Sequence, residues 1–129
     1  MGRNMKKDNV FSRKVALLGQ EIRIHIFDTG DGMNVLIEGG DRGHIGAVAA
    51  AGPDLAVNVV TFPGHREDVI CKRWAEVLAG AFQSPVVVSA GVHYDGIGHR
   101  EIQTIIDALE QVLKEIVEVK RERESFNYE

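Results

Sequence analysis

The chain has 129 residues, 44% of them hydrophobic, and a formal net charge of −4. That length and apolar content suit one globular domain over residues 1–129 and exclude a disordered chain, and the acidic balance gives no support to nucleic-acid binding by bulk electrostatics. The lone cysteine, Cys71, excludes an internal disulfide framework and a cysteine-based zinc site.

No apolar run approaches the ~20 residues of a membrane helix. The polar, basic residues 1–7 lead into no long apolar stretch, so no signal peptide is read. The expectation is a cytoplasmic protein that contacts neither membrane nor nucleic acid.

In chain order, residues 1–12 read as a frayed arm. Strand character starts at Lys14 with Val15, Ala16, Leu17 and Leu18, and breaks at Gly19-Gln20. Ile22, Ile24 and Ile26 then alternate with Arg23, His25 and Phe27, a period of two that puts one apolar face on a second strand. His25 falls on the mixed face and reads as a rim histidine. Asp28-Thr29-Gly30-Asp31-Gly32 is a tight turn, and Asn34 to Glu38 returns as a third strand, so 14–38 is an antiparallel meander.

Gly39-Gly40-Asp41-Arg42-Gly43-His44-Ile45-Gly46 reads as a glycine-rich loop whose backbone can approach a ligand. No Gly-Lys-Ser/Thr follows, so it is not a phosphate-binding loop of the Walker type. Residues 45–51 and 55–62 are strands joined by a hairpin at 52–54. From His65 the period becomes 3.6: Ile70, Trp74, Val77, Leu78 and Ala81 share one face, giving a helix over 66–82 that Ser84-Pro85 ends. Cys71 lies inside it and reads as a small core residue.

Val86 to Ala90 is a continuous apolar run, as in a strand covered on both faces. A further glycine-rich loop spans 91–98. The last helix runs from His99 to about Glu122 with a stripe of Ile102, Ile105, Ile106, Leu109, Val112, Leu113 and Ile116. Its length leaves its far end available to a second subunit, and residues 120–129 read as a frayed tail. The order β-β-β-β-β-α-β-α gives an α+β fold, a mainly antiparallel sheet carrying two helices. The strands within 55–90 are expected to run parallel through a right-handed crossover.

The candidate site lies in the loops. Gly64-His65-Arg66-Glu67 recurs letter for letter as Gly98-His99-Arg100-Glu101, and Gly43-His44 is a third glycine-histidine pair. Each tetrapeptide stands at a helix start, where free N–H groups, the helix dipole and an arginine suit a phosphate or carboxylate. His44, His65 and His93, with His99, Asp95 and Glu67, would also supply enough ligands for zinc or iron, although no HExxH or HxH spacing is present. Ser89 and Cys71 lack a nucleophile-elbow pattern, and Tyr94 and Asp95 are placed to line a pocket.

Three segments together carry a resemblance. Gly39-Gly40 with His44-Ile45-Gly46-Ala47-Val48, then Gly64-His65-Arg66-Glu67, then Ala90-Gly91-Val92-His93-Tyr94-Asp95 resemble the small accessory D subunit of gallate and hydroxybenzoate decarboxylases. This is the LpdD-like family of prenylated-flavin chaperones for UbiD-type decarboxylases. The resemblance covers about residues 14–118. It implies a fold like that of proteasome-assembly chaperones, a homodimer, and a non-catalytic partner of a UbiD-type decarboxylase catalytic subunit that handles prenylated FMN or FMN. The residues it offers for the ligand are Gly40, His44, Gly64, His65, Arg66, Glu67, His93 and Asp95, with the phosphate near the helix start at Arg66. Two other readings stand beside it: a small metal-assisted lyase or hydrolase using His44, His65 and His93, and a pure assembly module without ligand.

Overall fold

The computed structural model describes residues 10–54, 56–63 and 67–127, with side chains up to residue 122. Gly64, His65 and Arg66 lie outside the described residues, as do Leu55 and the first nine residues of the arm. Six strands and two helices follow in the expected order. They are β1 (Val10–Leu17), β2 (Gln20–Asp28), β3 (Met33–Gly40), β4 (Arg42–Ala51), β5 (Val57–Thr61), α1 (Asp68–Phe82), β6 (Val86–His93) and α2 (His99–Asn127). The fold is α+β. By contact the chain divides into two compact units, residues 1–96 and 97–129.

The first unit is one six-stranded sheet in the order β1-β2-β3-β6-β4-β5 with α1 against β4, β5 and β6. The β1–β2 hairpin turns through Leu18 (φ 53°) and Gly19 (φ 81°), the paired positive φ values of a two-residue hairpin. β1 begins at Val10, so residues 10–12 are strand where an arm is expected: Val10, Phe11 and Ser12 pair with Phe27, Ile26 and His25.

The largest departure from expectation is in strand neighbours. The strand at 57–61 runs parallel to β6, as expected, but does not pair with it, since β4 stands between them antiparallel to both. Instead β6 lies between β3, with which it is parallel, and β4, with which it is antiparallel. The chain therefore climbs β3, crosses the end of β6 at the single residue Asp41, and descends as β4. Gly40 and Arg42 both pair with His93, and Asp41 N donates to His93 O across the gap at 2.6 Å. Gly40 takes φ +84°, and a Cβ there would overlap the backbone of His93, which is why glycine ends β3. Most of the expected glycine-rich loops are thus strand: Gly39-Gly40 belongs to β3, 42–46 to β4 and 91–93 to β6.

One face of the sheet is the core face. Ile22, Ile24, Val35, Ile37, Val88, Ala90, Ala47 and Ala49 are all buried on it. The buried stripe of α1 is Cys71, Trp74, Ala75, Leu78 and Ala79, turned from the expected one, with Ile70, Val77 and Ala81 half-buried. Small residues on both sides let helix and strand approach closely, and the Cys71 thiol donates to Ala47 O at 3.3 Å. α1 ends on Gln83 in the left-handed region, with Gln83 Nε2 donating to Gly80 O.

The opposite face carries exposed apolar side chains among the described residues. Val87 is 39% exposed, so β6 is not covered on both sides, and Phe27 at 46% and Val60 at 57% stand on the same face. In the second unit, Ile105, Leu109, Val112, Leu113 and Ile116 of α2 are buried, while Ile102 is 44% exposed.

Candidate functional site

Between Gly43 and Ala47 the β4–β6 register slips: Gly43 pairs with Val92, but Ala47 pairs with Ala90. The extra residues form a bulge opposite Gly91. Bulges re-aim side chains and favour functional sites, and here the chain passes so close that a Cβ on Gly91 would fall on the His44 carbonyl, with Ile45 N only 2.9 Å away. His44 leaves the bulge towards the start of α1, where its Nε2 meets Glu67 Oε2 at 2.9 Å.

Glu67 is the residue before the first turn of α1 and is 8% exposed, a buried charged side chain. The same Oε2 also accepts the Val92 N–H at 3.1 Å, and the Glu67 carbonyl accepts from Cys71 N at 3.0 Å. Glu67 therefore ties together a bulge, a central strand and a helix start. Its charge is felt next door: burial first, and the Glu67 carboxylate second, push the Cys71 thiol up to about 12, so the thiol stays protonated and weakly nucleophilic.

The His44 and His93 rings meet edge to face with centroids 5.7 Å apart. His93, at the end of β6, has its Nε2 2.8 Å from Asp95 Oδ1 and 3.2 Å from Arg42 Nη2. Asp95 N donates to Asp41 Oδ2 at 2.7 Å. The structure thus brings together His44, Glu67, His93 and Asp95, with Gly40 alongside as the ladder partner of His93. Arg42 and Asp41 join them. Neither was singled out in the sequence, although both stand in the same glycine-rich segment as His44.

Beside Gly40 a cavity of about 670 Å³ is lined by Ala16 to Glu21 and Arg23, within the ~300–1,000 Å³ usual for small-molecule sites. Arg23 grips Glu38 through two hydrogen bonds of 2.6 and 2.8 Å, which hold the Glu38 carboxyl below its usual value. His25 Nε2 stands 3.6 Å from the same carboxylate, in keeping with a rim role.

Tyr94 does not line the site as expected. It is buried, and its hydroxyl donates to Leu17 O at 2.7 Å, pinning the β1–β2 hairpin; burial and then the Asp41 charge raise its pKa. Among the described residues no group of three His, Cys, Asp or Glu is placed to hold a metal ion.

The two identical tetrapeptides do different things. Gly98 immediately precedes α2, its carbonyl accepts from Ile102 N at 3.1 Å, and Glu101 Oε1 reaches back to Gly98 N at 2.9 Å. That is the reciprocal half of a capping box, and His99 and Arg100 are exposed. In the first copy α1 begins only after Glu67, and its carboxylate meets His44 and Val92.

A family model described as the prenylated flavin chaperone LpdD-like domain matches residues 17–121. A chain of a chaperone complex for yeast 20S proteasome assembly, known from its crystal structure, aligns with a TM-score of 0.59 at 11% identity, over 86% of this chain and 95% of that one. At that identity the likeness speaks for the fold. No curated protein sequence matches the chain.

Proposed function

Because the chain belongs to the family of prenylated flavin chaperone LpdD-like domains, we propose that it binds prenylated FMN, or FMN itself, and hands it to a UbiD-type decarboxylase without catalysing a reaction. The residues offered for the ligand are Gly40, His44, Gly64, His65, Arg66, Glu67, His93 and Asp95.

The observation that carries this reading is the meeting of His44 and His93, two imidazoles from different strands, 5.7 Å apart. Each ring is backed by a carboxylate, Glu67 or Asp95, which fixes its orientation as an outer partner fixes a ligand group. The donor set suits a flavin: imidazole offers a flat face and a hydrogen bond to a heteroaromatic ring. In this role the histidines orient the ring and Glu67 holds His44. The same reading makes the chain a homodimer, supported by the exposed apolar side chains Phe27, Val60 and Val87 on the same sheet face.

A thermal-shift titration tests it. FMN or prenylated FMN raises the melting temperature with concentration, by about 2.7 kcal/mol of stabilisation at a hundredfold excess over Kd. No shift with either flavin refutes the reading, and co-purification with a decarboxylase without flavin binding would point to a pure assembly module.

A further inference from the structure

Resting on the flavin reading, we infer that Arg42 and Asp95 together take the imide edge of the isoalloxazine ring, carbonyl–N–H–carbonyl, and not its phosphate.

The argument starts at His93. Its Nε2 lies 2.8 Å from Asp95 Oδ1. A lone pair facing a carboxylate oxygen at that distance would repel it, so this nitrogen carries the hydrogen and donates. Arg42 Nη2, 3.2 Å from the same nitrogen, then faces an N–H with no lone pair to accept from. The guanidinium is also 4.0 Å from Asp95 Oδ1, beyond hydrogen-bond length. The histidine keeps an ion pair open that would otherwise close on itself. A donor fork and an acceptor carboxylate stand side by side, with hydrogen-bonding capacity not spent on each other.

The pair is also held in place. Arg42 is laddered to His93, Asp41 N donates to His93 O at 2.6 Å, and Asp95 N donates to Asp41 Oδ2 at 2.7 Å. These bonds fix the backbone, which removes part of the entropy lost on binding, while the side chains themselves stand in solvent, 70% and 72% exposed.

Charge decides between the two ends of a flavin nucleotide. Among the described residues around this point, one guanidinium, Arg42, stands with the carboxylates of Asp41, Asp95 and Glu67 and the imidazoles of His44 and His93. Set against those described groups alone, a phosphate dianion meets more negative charge than positive. A neutral imide pairs here through its N–H and one flanking carbonyl: Asp95 accepts the first and Arg42 donates to the second. His93 is the positioning residue that holds them apart.

The experiment uses lumiflavin, which lacks the ribityl phosphate, 3-methyllumiflavin, which lacks the imide N–H, and FMN, each titrated by calorimetry into the full chain. Lumiflavin is expected to bind, and 3-methyllumiflavin about tenfold more weakly, one hydrogen bond's worth. Arg42→Ala is expected to weaken lumiflavin by a similar factor. In Asp95→Ala the difference between the two lumiflavins disappears, while Asp95→Asn, which keeps an acceptor oxygen, retains part of it. Equal binding of the two by the parent protein, or a methyl penalty that persists in Asp95→Ala, overturns the inference. Binding of FMN without lumiflavin overturns it and leaves the flavin function standing, and binding of no flavin at all overturns both.

Discussion

Replacing Glu67 by alanine removes the acceptor shared by His44 Nε2 at 2.9 Å and Val92 N at 3.1 Å, at a position only 8% exposed. Each donor that loses this acceptor in a half-buried place costs roughly 1–3 kcal/mol, so the two together give about 2–6 kcal/mol. Glu67→Gln keeps an oxygen acceptor and loses the charge. The difference between a charged and a neutral hydrogen bond puts its cost near 1 kcal/mol. With a urea slope of about 1–3 kcal/mol/M, the alanine variant is expected to unfold at a midpoint about 1–3 M lower, and the glutamine variant to fall between it and the parent. A double-mutant cycle with His44→Ala is expected to show coupling of about 1 kcal/mol or more, as for residues in direct contact. A Glu67→Ala midpoint within 0.3 M of the parent, with no coupling to His44, would refute the view that this carboxylate ties bulge, strand and helix together.

Gly91→Ala should destabilise the fold by about 3 kcal/mol or more, since a Cβ there meets the backbone of His44 and Ile45 and not a movable side chain; Gly43→Ala, whose Cβ would meet only Glu38 Oε1 at 3.3 Å, is the milder control in the same urea assay. Cys71, buried and raised to about 12, should resist a thiol reagent at pH 8 in native protein and react once unfolded. Because its folded pKa is raised, its contribution is complete below the unfolded value near 9 and is lost as pH climbs towards 12, which denaturation midpoints at pH 8, 10 and 11 would follow. Glu38 has the opposite sign: Arg23 lowers its pKa, so its contribution is present above the ordinary glutamate range and is lost as pH falls through the lower folded value. Arg23→Ala should therefore cost stability at pH 7 and less at pH 3.

Local signals carried far in this chain. Period-two alternation placed Ile22, Ile24 and Ile26 on the buried face of a strand, and the 3.6 period placed Leu109, Val112, Leu113 and Ile116 on the buried stripe of α2. Both follow from neighbours a few residues apart, which is the range over which backbone period and side-chain polarity are coupled. His44 and Glu67 drew notice through glycine-histidine pairs at element ends, and His93 and Asp95 stood beside them, with Gly40, Gly64, His65 and Arg66, in the set the family resemblance offered.

What only the tertiary structure decided is who meets whom. The insertion of β6 between β3 and β4 is a long-range pairing, set by how the apolar faces of six strands are best buried and invisible to any short window of sequence. That insertion brings Asp41 and Arg42 over His93, makes Gly91 the floor of the bulge, and turns His44 towards Glu67. Identical letters specify a capping box where the chain continues straight into α2, and a buried tertiary tie where α1 starts against β6, because a glutamate's partner is whatever donor the fold sets within 3 Å or so of it.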